Sequence, residues 1–233
     1  MTELQEHFDH IRGRIADAAT RSGRNLAEVT LVAVSKTHPS ESLAALHALG
    51  QRDFGESYVQ EALPKMESLA DKDIRWHFIG HLQTNKAKYC VGRFCLFHTL
   101  DSEKLAQALH TLAQAKGQRQ AVLLQVNVGD EPQKSGIDLA RVEALAATVL
   151  GFSGLDLAGL MCLPPYDEDP DATRPYFVAL RQCRERLETR LGIVLPHLSM
   201  GMSTDFEAAV EEGATLVRVG SSIFGARPCL RNP

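Results

Sequence analysis

Basic residues do not outnumber acids in this chain: 25 Lys and Arg stand against 29 Asp and Glu, with a net charge of -4 and a pI near 6.1. Such a balance sets up no field for gathering nucleic-acid phosphates, and no basic run or basic-aromatic stretch supplies one locally. Apolar stretches are short: none approaches the roughly 18 residues of a membrane span. The polar opening Met-Thr-Glu-Leu-Gln-Glu-His also lacks the apolar segment of a secretory leader. Cysteine is scarce and odd in number. Cys90, Cys95, Cys162, Cys183 and Cys229 show no Cys-x-x-Cys spacing and support neither a disulfide framework nor a zinc site. No linker of Pro, Gly and Ser, no low-complexity tract and no sequence repeat divides the chain. These absences predict a cytosolic protein of one domain, residues 1–233, with no nucleic-acid or membrane partner. No long apolar edge or heptad calls for an obligate dimer, so a monomer is expected.

What is present is rhythm. Leu4, Phe8, Ile11, Ile15 and Ala18 make one apolar stripe on an otherwise charged opening helix. Short apolar runs follow at 29–35, 52–55, 74–79, 94–98, 121–128, 155–161, 196–200 and 215–219. Each precedes a helical pattern, at 40–49, 57–70, 82–90, 102–116, 138–149, 170–191, 204–212 and 221–225. Strand-then-helix units with continuous Val/Leu/Ile runs, buried on both faces, predict a (β/α)₈ TIM barrel of the α/β class with an extra N-terminal helix. A doubly wound open sheet is the alternative, but it lacks a Gly-x-Gly-x-x-Gly turn after its first strand.

In a barrel, functional groups gather at the C-terminal ends of the strands. Ser35 and Lys36, Glu56 and Ser57, His81, Gln83 and Asn85, Asn127, Met161, Ser199 through Ser203, and Gly220 to Ser222 are therefore expected at one mouth. Lys36 is the most informative of them, an amine closing the apolar run Leu31-Val-Ala-Val-Ser35. At its ordinary pKa a lysine is neutral only to roughly four parts in ten thousand at pH 7, but an apolar mouth favours the uncharged, nucleophilic form. Schiff-base chemistry with an aldehyde or ketone is the expectation. The plain alternative is a lysine whose ammonium reaches water from a strand end. The other seven lysines lie in polar or helical stretches, where solvated ammonium is expected.

His197-Leu-Ser-Met-Gly-Met-Ser203 and Val217-Arg-Val-Gly-Ser-Ser-Ile-Phe-Gly225 place small residues and hydroxyls at adjacent strand ends, where this fold commonly binds phosphate. A reactive lysine beside such loops points to a phosphorylated aldehyde. Pyridoxal 5'-phosphate satisfies both ends, and so does an opened sugar phosphate. Arg218, on the same strand face as Gly220, favours the former, because a guanidinium against the ring nitrogen keeps that nitrogen unprotonated and the ring a poor electron sink. An ion pair of Arg218 with Glu56 or Asp205 is the alternative. His77 and His81 are four apart, but Gly80 between them argues against a shared helical face and for structural hydrogen bonding over metal ligation. Glu131, Lys134 and Pro164-Pro165 read as loop chemistry with no assigned role.

Leu31 to Thr37, Phe54-Gly-Glu-Ser-Tyr-Val-Gln-Glu61, Trp76 to Lys86, Val126-Asn-Val-Gly129, Lys134-Ser-Gly136, Gly159-Leu-Met-Cys162, His197 to Ser203 and Val217 to Gly225 stand in one order over nearly the whole chain. In these motifs the chain resembles the pyridoxal phosphate homeostasis protein family, related in fold to the N-terminal barrel of alanine racemase. The resemblance implies pyridoxal 5'-phosphate held as a Schiff base on Lys36 and Arg218 facing the pyridine nitrogen. It puts Ser199, Gly201, Gly220 and Ser221 around the phosphate and counts Met200 among the cofactor-binding residues. Ser57 stands where the family usually has asparagine, so a hydroxyl replaces an amide. The resemblance implies a role in cofactor supply, with PLP-dependent apo-enzymes as the expected partners. A racemase or lyase is the runner-up, and a lysine aldolase on a sugar phosphate the third reading. Only about a dozen residues follow the last strand, well short of the roughly 40 a second unit would need to complete a racemase site, so no turnover is expected.

Overall fold

The computed structural model describes residues 2–129, 131, 135–167 and 169–225. Helix α1 (Glu3–Arg21) comes first, its N-terminus capped by the Thr2 hydroxyl, which accepts the Gln5 amide at 3.3 Å. The expected stripe is its buried face: Phe8, Ile11, Ile15 and Ala18 are at most 2% exposed, against α8 (Phe206–Glu211) and α9 (Ser221–Phe224). Burying the three large side chains contributes roughly 1.5–3 kcal/mol each as an upper bound.

Strands β1 (Thr30–Val34), β2 (Asp53–Glu56), β3 (Arg75–Phe78), β4 (Leu96–Leu100), β5 (Gln120–Asn127), β7 (Leu155–Cys162), β8 (His197–Ser199) and β9 (Leu216–Val219) pair in parallel in the order β4-β3-β2-β1-β9-β8-β7-β5. A further β4–β5 pairing closes the ring into the (β/α)₈ barrel that the strand-helix rhythm predicts. Between strands run α2 (Ser40–Ala48), α3 (Val59–Ser68), α4 (Ala87–Cys90), α5 (Glu103–Ala115), α6 (Val142–Leu150) and α7 (Arg174–Leu191). All eight strand ranges agree with the periodicity to within two residues.

Three details differ. A two-residue strand β6 (Ile137–Asp138) pairs with the end of β5 where a helix was expected to begin. The helical pattern over 82–90 yields only a 3-10 turn (Thr84–Lys86) and the four residues of α4, soon followed by Gly92 at φ 81°. Lys65, expected to be solvated, is buried: its ammonium bonds the Glu56 carboxylate at 2.7 Å and the Ser35 carbonyl at 2.8 Å.

Alternate residues of each strand face opposite ways, and here both faces are covered. Val32, Leu96, Leu123, Met161 and Leu216 fill the barrel interior as a separate apolar cluster. Phe54, Phe78, Phe97 and their neighbours pack outward into the larger core beneath the helices.

Candidate functional site

The C-terminal mouth of the barrel opens into a cleft of about 930 Å³, within the roughly 300–1,000 Å³ range of ligand pockets. Lys36, Ser57, His81, Ser203, Arg218, Gly220 and Ser221 all line it. The register explains the gathering. Ala33 pairs with Val219, so the segments after β1 and β9 leave the barrel side by side. Gly220 permits the close approach, since a Cβ there would stand 3.1 Å from the Val34 carbonyl oxygen. Gly80 does the same between the segments after β2 and β3, where a Cβ would lie 2.1 Å from the Ser57 carbonyl oxygen.

Thr37, directly after Lys36, has φ 67°, a left-handed conformation that costs a β-branched residue of order 1–3 kcal/mol. Its amide donates to the Glu61 carboxylate at 2.9 Å, a charge-assisted bond that holds the turn. The chain therefore turns abruptly past Lys36 and keeps that residue at the cleft. On the neighbouring loops Ser221 and Ser203 meet hydroxyl to hydroxyl at 3.3 Å. The first amides of α9, which have no carbonyl one turn earlier in the helix, begin at Ser221.

Arg218 is only 3% exposed, which sets its partners apart from those of a surface arginine. Its guanidinium donates to the Ser199 hydroxyl at 2.6 Å and the Cys162 carbonyl at 2.9 Å. Neither carboxylate of the alternative reading pairs with it: Glu56 bonds Lys65 and Ser35, and Asp205 accepts the Met202 amide at 2.6 Å. Burial pushes the Arg218 pKa down, and the carboxylate of Asp205 pulls against that shift. Burial likewise raises Asp205 and lifts the Cys162 thiol to about 12.

Of the sequence-predicted cofactor residues, the cleft brings together Lys36, Arg218, Gly220 and Ser221. Ser199, Met200 and Gly201 are buried and absent from its lining. Ser199 carries the Arg218 guanidinium, Met200 packs in the core, and the Gly201 carbonyl accepts the Arg218 amide at 3.0 Å. Met202, Ser203 and Thr204 line the cleft from that loop instead. Glu56 turns away from the mouth to Lys65 on α3. Met161 fills the interior, and Asn127 pins its own loop through bonds to the Glu131 backbone at 2.9 and 3.3 Å. Gln83 and Asn85 are exposed outside the lining, whereas Pro164 is part of it. Lys134 and Cys229 lie outside the described residues. Gln125, Tyr58 and Tyr166 line the cleft without having been singled out; Gln125 was within reach of sequence reasoning, because it sits two residues before Asn127 on one strand face. No group of three or more His, Cys, Asp or Glu side chains among the described residues could hold a metal, and His77 serves as a hydrogen-bonding residue.

An amine, a buried guanidinium and a serine-lined loop pair at one end of a parallel barrel define the class of alanine racemase-like barrels, and residues 7–228 match the alanine racemase N-terminal domain family. Solved alanine racemases share the fold alone; that of Corynebacterium glutamicum aligns with a TM-score of 0.70 at 17% identity, over 97% of this chain and 63% of that one. Much greater similarity exists to the pyridoxal phosphate homeostasis protein of Aquifex aeolicus, 44% identical over 95% of this chain and 97% of that protein. The protein of that name in Escherichia coli K12 is 41% identical over 97% and 98%. PipY of Synechococcus elongatus PCC7942, solved with PLP bound, aligns with a TM-score of 0.81 at 37% identity, covering 91% of this chain and all (100%) of PipY. The chain belongs to the pyridoxal phosphate homeostasis protein family.

Proposed function

We propose that the chain binds pyridoxal 5'-phosphate in this cleft and supplies the cofactor to PLP-dependent apo-enzymes in the cytosol, as a monomer and without turnover of its own. The observation that carries the reading is the shared lining of Lys36, Arg218 and the Ser203–Ser221 pair, one amine, one guanidinium and one hydroxyl-lined loop pair in a single cavity. These groups fit the cofactor's three chemical ends. When bound, pyridoxal 5'-phosphate supplies an aldehyde that condenses with a primary amine and a ring that absorbs visible light. Lys36 is the amine that would hold it. Arg218 offers N–H donors to a ring nitrogen and, being effectively always protonated, gives it no proton. Ser203, Ser221 and the first amides of α9 would take the phosphate, while Tyr58 and Tyr166 stand at the cleft with Ser57. The relatives' names support a role in supply over catalysis.

The test is to add pyridoxal phosphate to the purified chain, record visible absorption, reduce with borohydride and map the labelled peptide. The label is expected on Lys36, and Lys36→Ala should lose both band and label with an unchanged melting temperature. A label spread over Lys86 and Lys134 would refute the assignment. Catalytic exchange of an amino acid's α-proton for solvent deuterium, beyond that of free cofactor, would establish an enzyme instead.

A further inference from the structure

Below the cleft, five side chains from five strands form one hydrogen-bonded line. The Arg218 guanidinium bonds the Ser199 hydroxyl at 2.6 Å, and Ser199 bonds His98 Nδ1 at 2.8 Å. His98 Nε2 meets His77 Nδ1 at 2.9 Å, and His77 Nε2 meets the Asp53 carboxylate at 3.0 Å. Asp53 also accepts two bonds from Arg75, the nearer solvent-reaching group. From Arg218 to Asp53 no member exceeds 6% exposure, so the line runs through the barrel interior.

We propose that Asp53 is the remote counter-charge of Arg218, with Ser199, His98 and His77 as positioning residues that transmit it through hydrogen bonds running in a single direction. With both imidazoles neutral, the two ends fix that direction. A guanidinium only donates and an ionised carboxylate only accepts. His77 must therefore donate its Nε2–H to Asp53, which leaves its Nδ1 an acceptor. That acceptor requires Nε2–H on His98, whose bare Nδ1 then takes the Ser199 hydroxyl proton, freeing the Ser199 lone pairs for Arg218. Both imidazoles are neutral in this arrangement, each with its proton on Nε2.

The surrounding charges agree. Burial first, then the repulsion a charge on His98 would meet from a proton on His77 and from the Arg218 guanidinium, hold His98 well below its ordinary pKa, so its ring stays neutral in the line. Burial opposes the Asp53 charge, but the bonds from His77 and Arg75 outweigh it and keep the carboxyl below its usual value. Asp205 is the carboxylate whose charge reaches Arg218 through space, and it is not among the guanidinium's hydrogen-bond partners, so the bonded line to Asp53 is the connection the proposal rests on.

A carboxylate set directly against Arg218 would claim two of its donors in a forked pair. Displacing that carboxylate to the far end of a polarised line keeps the cation balanced while its cleft-facing edge remains available to an acceptor on the ligand. This last step rests on the cofactor reading above, with the ring nitrogen as that acceptor.

Nitrogen-15 NMR of histidine-labelled protein before any ligand is added tests the direction itself. His77 and His98 should both show a protonated Nε2 and a bare Nδ1 at pH 7. An Nδ1–H tautomer or an imidazolium at either residue would overturn the proposal. The coupling is then read with pyridoxal phosphate added. Asp53→Asn and His98→Leu should each weaken binding at least about fivefold, the lower end of usual coupling between separated sites, and shift the visible band. His98→Gln, which presents an acceptor and a donor in the same order, should restore both. A folded Asp53→Asn protein with wild-type band and affinity would refute the coupling. The tautomers are read without cofactor, so a wild type that takes up no pyridoxal phosphate would remove the ligand assignment while the NMR still decides the line.

Discussion

His98 should make the barrel sensitive to mild acid. In the unfolded chain its imidazole titrates near the ordinary value of 6.5, whereas burial holds it well below that value in the fold. Below pH 6.5 the unfolded state binds a proton that the folded state refuses, so stability is full above the unfolded pKa and falls with pH. The loss approaches about 1.4 kcal/mol per pH unit until the folded-state pKa is reached, so His98 alone contributes at most about 2 kcal/mol between pH 6.5 and 5. For a chain of this length that corresponds to a fall of about 4–8 °C in melting temperature. His197, also lowered by burial, acts with the same sign. Glu56 and Asp205, both raised by burial, take up a proton first in the folded state and act in the opposite sense. Urea unfolding of the wild type and of His98→Gln across this range separates the contributions, because subtraction leaves the His98 part. The wild type should lose more than the variant as pH falls to 5, by up to about 2 kcal/mol. Parallel stability curves would show that His98 takes up its proton as readily inside the barrel as in the unfolded chain.

Three further outcomes follow from burial and contact. Lys65→Met should cost about 3–5 kcal/mol, because it leaves the Glu56 carboxylate buried without its cation, while adding Glu56→Leu should recover most of that loss in chemical denaturation. Gly80→Ala should destabilise by more than the usual 1–3 kcal/mol of overpacking, because its new Cβ would sit 2.1 Å from the Ser57 carbonyl oxygen. Calorimetry that finds the variant within 1 kcal/mol of wild type would contradict this close approach. Cys90 and Cys162, both 0% exposed with thiols raised to about 11 and 12, should stay unalkylated by iodoacetamide at pH 8 until the protein unfolds.

The barrel was legible because its information is local. Apolar runs at strand length alternate with helical patterns, and that alternation sets the order of elements. Lys36, Arg218, Gly220 and Ser221 were legible for a related reason: the fold fixes which end of each strand carries chemistry, and two-residue spacing puts Arg218 and Gly220 on one face. What could not be read was pairing between distant elements. Asp53, His77, His98 and Ser199 come from four strands, and no spacing within any one strand reveals that they meet. Lys65 looked like a solvated helix residue because its acceptors, Glu56 and Ser35, come from β2 and the end of β1. Ser199 reads as a phosphate ligand for the converse reason: it has the right residue type next to the right loop, but as the last residue of β8 it faces into the barrel, where Arg218 and His98 bond it.

The barrel wall separates two buried polar systems, and strand parity is what keeps them apart. Ser35 and Glu56 face the helices and take up Lys65, while their immediate neighbours Lys36 and Ser57 line the cleft. On β2 the same alternation sends Asp53 inward to His77 and Phe54 outward into the main core. A slip of β2 by one residue against β1 would reverse the faces of β2, bringing the Glu56 carboxylate to the cleft and turning Ser57 under the helices. Two features oppose that slip. Gly55 leaves room where a Cβ would meet Ile79 at 2.9 Å and Val32 at 3.0 Å. The Ser35 amide bonds the Gly55 carbonyl at 3.0 Å. The charge at the cleft therefore depends on packing one layer below it, and the Lys65–Glu56 pair on the outer face holds in place the strand ends that present Lys36 and Ser57 on the inner one.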